Sequence, residues 1–243
     1  MAQTDIPEGE ELFAIPRGLI LSVQNSKLSE VLAQNLQELG PWMSLMLVMI
    51  YEYLSGEQSV WSSYFKVLPK EFDTLMWWSE SELRELQGSA VVEKIGKQGA
   101  DESILEMITP IVRANPALFP PIDGLPSFDG DAGTQAILRL GHIMGSLILA
   151  YAFDIGKPED DDGDEEGEDG YATDEEEEQA AKGMVPLADL LNADGEQHNV
   201  RHASSPPDMD GLLTGYPGTA LPRGRILYHE NNQAYPGWRG DSQ

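Results

Sequence analysis

An acidic tract divides this sequence and limits what the rest of the chain can form. Residues 159–178 contain 14 Asp and Glu and no Lys or Arg. A segment with so much like charge and so few apolar side chains cannot bury enough surface to offset the entropy lost on ordering. We therefore predict a disordered acidic insertion over residues 156–183, with folded segments on both sides of it.

The remainder of the chain has the composition of an ordinary globular protein. Removing the 14 acidic residues of the tract from the net charge of −27 leaves −13, and 41% of the whole sequence is hydrophobic. This acidic balance argues against direct binding of nucleic acid or of an anionic membrane, since both require clustered Lys and Arg. The absence of cysteine excludes disulfides, thiolate-bound zinc and thiol nucleophiles, and it is consistent with a reducing compartment.

The most apolar stretches, residues 42–54 and 143–153, are too short to span a bilayer. The first eleven residues are polar and acidic, unlike a targeting signal. We expect a soluble protein of the nucleus or cytoplasm. The oligomeric state is not predicted.

Hydrophobic periodicity and breaker residues predict a mixed α and β chain. Two short strands, or a strand and a turn, are expected over residues 12–23, and a helix over residues 29–39 that ends at Gly40. A second helix is expected to begin at Pro41 and to run through Leu54. The spacing of Ser79 and Glu82 is that of a capping box.

The longest helix is predicted from about Thr134 to Phe153, because its apolar residues recur at steps of three and four. Before it, residues 115–133 hold so many Pro and Gly that a loop is expected. Within the helix, Gly141 and Gly145 lie one turn apart and permit a close approach by a neighbouring segment, and His142 is expected to be a hydrogen-bonded core or boundary residue. After residue 203 no period survives, so residues 203–243 are predicted to form an irregular tail.

No metal site is predicted. His198 and His202 are four residues apart, a spacing that can hold a metal on a helix, but nearby Gly195, Pro206 and Pro207 favour a loop.

Residues 184–201 (MVPLADLLNADGEQHNVR) form an apolar run that ends at Asn192. A buried strand or turn capped by the Asn192 amide explains this pattern as well as a binding site does, so composition leaves both readings open. The acidic tract also has two readings: a solvated linker, or a surface that captures basic proteins.

Several segments, taken in order, resemble the SET-domain protein-lysine methyltransferases. The similar subgroup includes the Rubisco large-subunit methyltransferase and fungal ribosomal-protein lysine methyltransferases. The matching segments are DIPEGEELFAIPRGLILS at 5–22, WSSYFKVLPKEFDTLMWW at 61–78, GSLILAYAFD at 145–154 and MVPLADLLN at 184–192.

The resemblance implies an α+β fold, with a SET-like core of short strands and a large helical insert. Residues 1–39 would form the N-terminal part of the core and residues 40–140 the insert. Residues 141–202, interrupted by the acidic insertion, would form the C-terminal part.

The resemblance also implies a function, which is methyl transfer from S-adenosylmethionine to a lysine of a protein substrate, plausibly a ribosomal or nuclear one. By position, Asn192 and Ala193 match cofactor-binding residues, and Tyr151 matches a residue that lines both cofactor and substrate. Asp189 matches a position near the lysine channel. The plainer alternatives are a core Tyr151 and an Asp189 that caps a turn.

Two motifs of this family have no counterpart in the sequence. A Gly-rich turn is absent before Asp5, and no N-x-Y-G motif follows Arg201. The catalytic residue is therefore left unassigned, and we expect a chain truncated at both ends with most of its activity lost. The competing hypothesis is a non-catalytic acidic module that binds basic proteins.

Overall fold

The structure, a computed structural model, describes residues 11–122, 124–155, 181–190, 200–204 and 223–228. It divides into two compact units. The larger unit is Leu21–Val185, and the smaller combines Met1–Ile20 with Pro186–Gln243.

The larger unit is mainly helical and has a small sheet. Its helices are α1 (Leu28–Val31), α2 (Ala33–Leu54), α3 (Ser62–Val67), α4 (Glu80–Leu83), α5 (Val91–Lys94), α6 (Lys97–Ser103), α7 (Thr109–Ala114) and α8 (Gly130–Tyr151). Short 3-10 turns at Gly56–Gln58, Leu75–Trp77 and Arg84–Leu86 connect some of them, and a π-helical turn at Ile104–Ile108 leads into α7.

Helix α2 has a break in its backbone at the predicted position. Gly40 has φ 71° and ψ 168°, a conformation open essentially only to glycine, and Pro41 follows it. This non-helical residue separates the two helices expected on either side of it. The hydroxyl of Ser44 donates to the carbonyl of Leu36 and links the two sides of the kink.

The hydrophobic core of the larger unit lies between α2, α8 and the π-helical turn. In the centre of α2, Leu45, Leu47, Val48 and Met49 have no exposed surface. Helix α8 contributes the face that its periodicity predicts, with Ile137, Leu140, Met144, Leu147 and Ile148 all buried. Burial on all sides explains why the centre of α2 is hydrophobic around its whole circumference.

The glycines of α8 allow the close packing that their spacing predicts. A Cβ on Gly141 would lie 2.7 Å from Cδ1 of Ile104, and a Cβ on Gly145 would lie 3.3 Å from Cε of Met46. The approaching groups are side chains of the π-helical turn and of α2. Between these glycines, His142 Nε2 lies 2.5 Å from Asp101 Oδ1, and the edge of its ring faces Trp77. This confirms that His142 is a hydrogen-bonded boundary residue.

Helix α8 begins at Gly130, four residues before the predicted start. Gly133 packs directly on the backbone of Phe128, where any Cβ would collide. Arg113 holds this turn, because its guanidinium donates to the carbonyl of Phe128 at 2.9 Å and to Thr134 Oγ1 at 2.6 Å. This tertiary contact thus stabilises the first turn of the helix at Gly130 and Gly133, although the sequence pattern predicts that glycines there interrupt a helix.

The sheet of the larger unit has the order β2 (Leu21–Ser22), β4 (Lys182–Met184), β3 (Ala152–Asp154). Both pairings are antiparallel. Strand β4 includes Lys182 and Gly183, which the sequence assigned to the disordered insertion. These two residues lack an apolar pattern, and it is pairing with Asp154 and Phe153 that makes them a strand.

The smaller unit contains a second antiparallel sheet, with the order β1 (Glu11–Pro16), β6 (Arg223–Tyr228), β5 (Val200–Ser204). A 3-10 turn at Arg17–Leu19 follows β1, as the predicted break between two strands requires. The expectation of a wholly irregular tail over residues 203–243 is wrong at Arg223–Tyr228, which lies between β1 and β5. A strand of six residues whose backbone bonds are all made to distant segments leaves little trace in a local pattern.

In the described part of the chain, no helix is both long and apolar enough to cross a membrane. The acidic tract lies outside the described residues, and so does the rest of the predicted irregular tail.

Candidate functional site

The resemblance implies that residues 145–154 and 184–192 flank the cofactor and the lysine channel, and these segments meet in the sheet of the larger unit. Ala152 of the first segment pairs with Met184 of the second, and Phe153 pairs with Gly183, which directly precedes the second segment. Met184 is fully buried, and Lys182 Nζ lies 2.6 Å from Asp154 Oδ1 at the end of the pair. Segments that are about 30 residues apart in the sequence thus form adjacent strands, which is the arrangement on which the predicted site depends.

Tyr151 is the last residue of α8 and directly precedes β3. Its side chain is half-buried and packs against the hydrophobic core. Among the described residues its hydroxyl makes no hydrogen bond. The ring therefore contributes to the packing of the larger unit.

Asp189 lies in the smaller unit, in a 3-10 turn at Ala188–Leu190, and is half-buried. The amide of Leu190 donates to the carbonyl of Leu187 at 3.2 Å and closes the turn. The position is compatible with both readings of Asp189, a turn residue and a substrate contact.

Leu187 is a feature of this turn that the sequence did not reveal. Its φ is +75°, in the left-handed region that leucine rarely adopts, and its side chain is 59% exposed. Such a conformation costs on the order of 1 kcal/mol and persists only where the surrounding structure enforces it, which happens most often at functional turns. A Gly at this position would have signalled the conformation, but the sequence has Leu.

Asn192 and Ala193, the predicted cofactor contacts, lie outside the described residues, as do His198 and Gly195. Their roles stay predictions. The described residues contain no group of three or more His, Asp or Glu that could hold a metal ion.

A cavity of about 230 Å³ opens beside the sheet of the larger unit, lined by residues that include Val23, Gly40, Ser44, Ala181 and Lys182. Ligand pockets for drug-sized molecules usually measure about 300–1,000 Å³. This cavity is smaller than that range.

Comparison with known proteins identifies the kind of protein to which this chain is similar. No family model matches the chain. It is 34% identical to ribosomal lysine N-methyltransferase 4 of Saccharomyces cerevisiae, over 82% of this chain and 40% of that protein. It is 30% identical to the N-lysine methyltransferase SETD6 of Rattus norvegicus, over 79% of this chain and 37% of that protein.

A third relative is the chloroplastic ribulose-1,5 bisphosphate carboxylase/oxygenase large subunit N-methyltransferase of Pisum sativum. The identity is 35%, over 49% of this chain and 24% of that protein. Among solved structures, the chain is similar to the SET domain of LSMT bound to MeLysine and AdoHcy. The TM-score is 0.56 and the identity 26%, over 80% of this chain and 37% of that one.

These similarities confirm the predicted α+β fold with a SET-like core. The chain is related, over most of its length, to the SET-domain protein-lysine methyltransferases. It spans less than half the length of the curated relatives it matches.

Proposed function

We propose that this chain takes part in methyl transfer from S-adenosylmethionine to a lysine of a protein substrate. The observation that carries the proposal is the pairing of β3 with β4, which joins the segment that ends in Tyr151 to the segment that leads to Asp189 and Asn192. Similarity to lysine methyltransferases over about four-fifths of the chain supports it.

The described residues fit such a cofactor and substrate in two respects. Tyr151 offers an aromatic surface and an uncommitted hydroxyl, and the strained turn at Leu187 stands two residues before Asp189. S-adenosylmethionine, when bound, supplies a methyl group on a positively charged sulfur. Asn192, Ala193 and Tyr151 are the residues that would hold it.

The chain's own task is to present a neutral amine in line with that methyl group. A free lysine has a pKa near ~10.4, and an apolar environment lowers it because burial disfavours the ammonium. A carboxylate has the opposite effect, since it favours the charged form. Asp189 therefore suits the capture of the protonated lysine, whereas deprotonation of the lysine requires apolar surroundings. Correct orientation of the two groups supplies much of the rate.

Binding of the cofactor tests the first part of this proposal. Titration with labelled S-adenosylmethionine is expected to give saturable binding that Asn192→Ala abolishes. Asn35→Ala, on α2 in the larger unit, removes the same amide and should leave binding unchanged. No saturable binding by the unmodified chain, or equal loss in both variants, would contradict the proposal.

We propose a ribosomal protein as the substrate, supported by the yeast relative, and the nucleus or cytoplasm as the location. Incubation with labelled S-adenosylmethionine and purified ribosomal proteins is expected to label a lysine, at a low rate because the sequence contains no N-x-Y-G motif. Fluorescence microscopy of a tagged chain tests the location, and a signal confined to another compartment would contradict it.

A second candidate function is a non-catalytic acidic module that binds basic proteins. The 14 acidic residues of 159–178 favour it. Pull-down with a basic protein, compared between the full chain and a variant that lacks residues 159–178, separates the two functions. Loss of this binding, in a chain that never binds S-adenosylmethionine, would favour the acidic module.

A further inference from the structure

A second cleft opens in the larger unit. It has a volume of about 680 Å³ and is bounded by the end of α2, by α3 and by the middle of α8. Its volume falls within the range of about 300–1,000 Å³ that is typical of small-molecule sites. Neither Tyr151 nor Asp189 lines it.

The floor of the cleft is apolar and rigid. Phe65, Leu140 and Ile143 line it, and the first two are buried. The ring of Phe65 meets the ring of Tyr53 edge to face, with centroids 5.7 Å apart. A ring that is held in this way presents a fixed apolar surface to a ligand at little entropic cost.

Three cations stand around this floor in a chain that carries a net charge of −27. Lys66 and Lys70 come from α3 and the segment after it, and Arg139 comes from α8. Lys66 pairs with Glu57 at 2.8 Å, in an exposed contact of little strength. Within the described residues, Lys70 and Arg139 make no ion pair.

The acidic residues of the cleft do not neutralise these two cations. Glu57 already pairs with Lys66. Glu52 accepts one hydrogen bond on each carboxylate oxygen, from Ser26 and from Ser59, both at 2.6 Å. Lys70 and Arg139 are thus available to a ligand that enters from outside.

The combination of an apolar floor and uncommitted cations defines the ligand. An apolar molecule would leave the cations unused, and an inorganic anion would leave the floor in contact with water. We propose that this cleft binds a small organic anion, with a phosphate or carboxylate group attached to an apolar or aromatic body. Arg139 binds the anionic group through its planar fork of donors, Lys70 adds a point charge, and the apolar body lies on Phe65 and Ile143.

This proposal does not rest on methyl transfer, and its test does not use that activity. Isothermal titration of the full chain with naphthyl phosphate is expected to give saturable binding. Naphthol, which has the same body without the charge, and inorganic phosphate, which has the charge without the body, are each expected to bind at least tenfold more weakly. Raising the salt concentration should weaken the binding of naphthyl phosphate, because the contact is electrostatic.

The site is located by comparing two variants that each remove one positive charge. Arg139→Gln is expected to weaken the binding of naphthyl phosphate roughly tenfold, since a charge-assisted hydrogen bond is lost. Lys94→Gln removes an exposed cation of α5 that does not line the cleft, and should leave the affinity unchanged. Lys70→Gln provides a second variant in case Arg139→Gln disturbs folding, which thermal melting reports.

The proposal is overturned if naphthol binds as tightly as naphthyl phosphate, or if Arg139→Gln and Lys70→Gln leave the affinity as unchanged as Lys94→Gln does. It is also overturned if an acidic peptide binds at this cleft and naphthyl phosphate does not. That result would assign the cleft to a protein partner.

Discussion

At the scale of single residues, a buried carboxylate connects two turns of the larger unit. Glu52 is 5% exposed, and its oxygens accept hydrogen bonds from Ser26 and Ser59. Each serine also accepts a backbone N–H two residues further on, from Leu28 and from Trp61, both at 3.2 Å. One side chain of α2 thus holds the starts of the segments that lead into α1 and α3.

We expect Glu52→Ala to lower the free energy of unfolding by about 3 kcal/mol, because two buried hydroxyls lose their acceptor. Glu52→Gln should cost less, about 1–2 kcal/mol, since its amide retains one oxygen acceptor. Urea denaturation measures both values. The double variant Ser26→Ala/Ser59→Ala has no hydroxyl at these positions that could lose its acceptor. In that variant, the further change Glu52→Leu should lower the free energy of unfolding clearly less than Glu52→Ala does in the unmodified chain. Equal costs in the two backgrounds would contradict this account.

The capping box at Ser79 predicts a pH effect at one exposed carboxylate. Hydrogen bonds from the hydroxyl and the backbone N–H of Ser79, both 2.7 Å from Glu82 Oε2, lower the pKa of Glu82 below its ordinary value of 4.5. Because the pKa is lowered in the folded state, the stabilisation is present above the unfolded pKa. It is lost as the pH falls through the lower folded value.

We expect an NMR titration to give Glu82 a pKa below 4.5 and to show that Ser79→Ala returns it towards that value. Ser89→Ala removes a hydroxyl that accepts from Val91, and should leave the Glu82 titration unchanged. A Glu82 pKa that does not respond to Ser79→Ala would refute the assignment.

At the scale of elements, the packing of α8 separates two glycines that look alike in sequence. Gly141 faces Ile104, which is 1% exposed and held in the π-helical turn, whereas Gly145 faces the flexible end of Met46. The space available to a new methyl group therefore differs between positions one turn apart.

Gly141→Ala is expected to destabilise the protein by about 1–2 kcal/mol, because overpacking outweighs the gain in helix propensity. Gly145→Ala should be neutral or stabilising by up to about 1 kcal/mol, since Met46 can move aside. Adding Ile104→Val, which removes the nearest carbon, should recover part of the loss in Gly141→Ala. Chemical denaturation that gives the same cost for both glycines would contradict the packing described for α8.

At the scale of the whole molecule, the connection between β3 and β4 contains the acidic tract, and we expect its length and charge to oppose the pairing of these two strands. The sequence places 27 residues between Asp154 of β3 and Lys182 of β4, and 20 of them are residues 159–178. Closing a flexible connection costs more entropy as its length increases, and repulsion among like charges adds to that cost.

Deleting residues 159–178 is expected to raise the free energy of unfolding by about 1 kcal/mol at high salt, from the shorter connection alone. The gain should be larger at low salt, where the charge is not screened. A variant in which 20 Gly and Ser residues replace the tract isolates the charge effect, since it keeps the length. A deletion that leaves stability unchanged at every salt concentration would show that the tract does not oppose the β3–β4 pairing.

The sequence by itself determined the local features of this protein. These features are the break at Gly40 and Pro41, the Ser79–Glu82 cap and the buried face of α8. They follow from the conformational limits of single residues or from a helical period, and both of these act over a few neighbouring residues. The segments that resemble lysine methyltransferases were also legible, because they keep their order along the chain.

Only the tertiary structure decided the features that depend on distant partners. For four such features, the local sequence signal is absent or misleading. They are the strand at Arg223–Tyr228, the helical turn at Gly130 and Gly133, the left-handed backbone of Leu187 and the cleft lined by Lys70 and Arg139. The strand and the helical turn are stabilised by groups that are far away in the sequence, so no short window contains the interactions that select them.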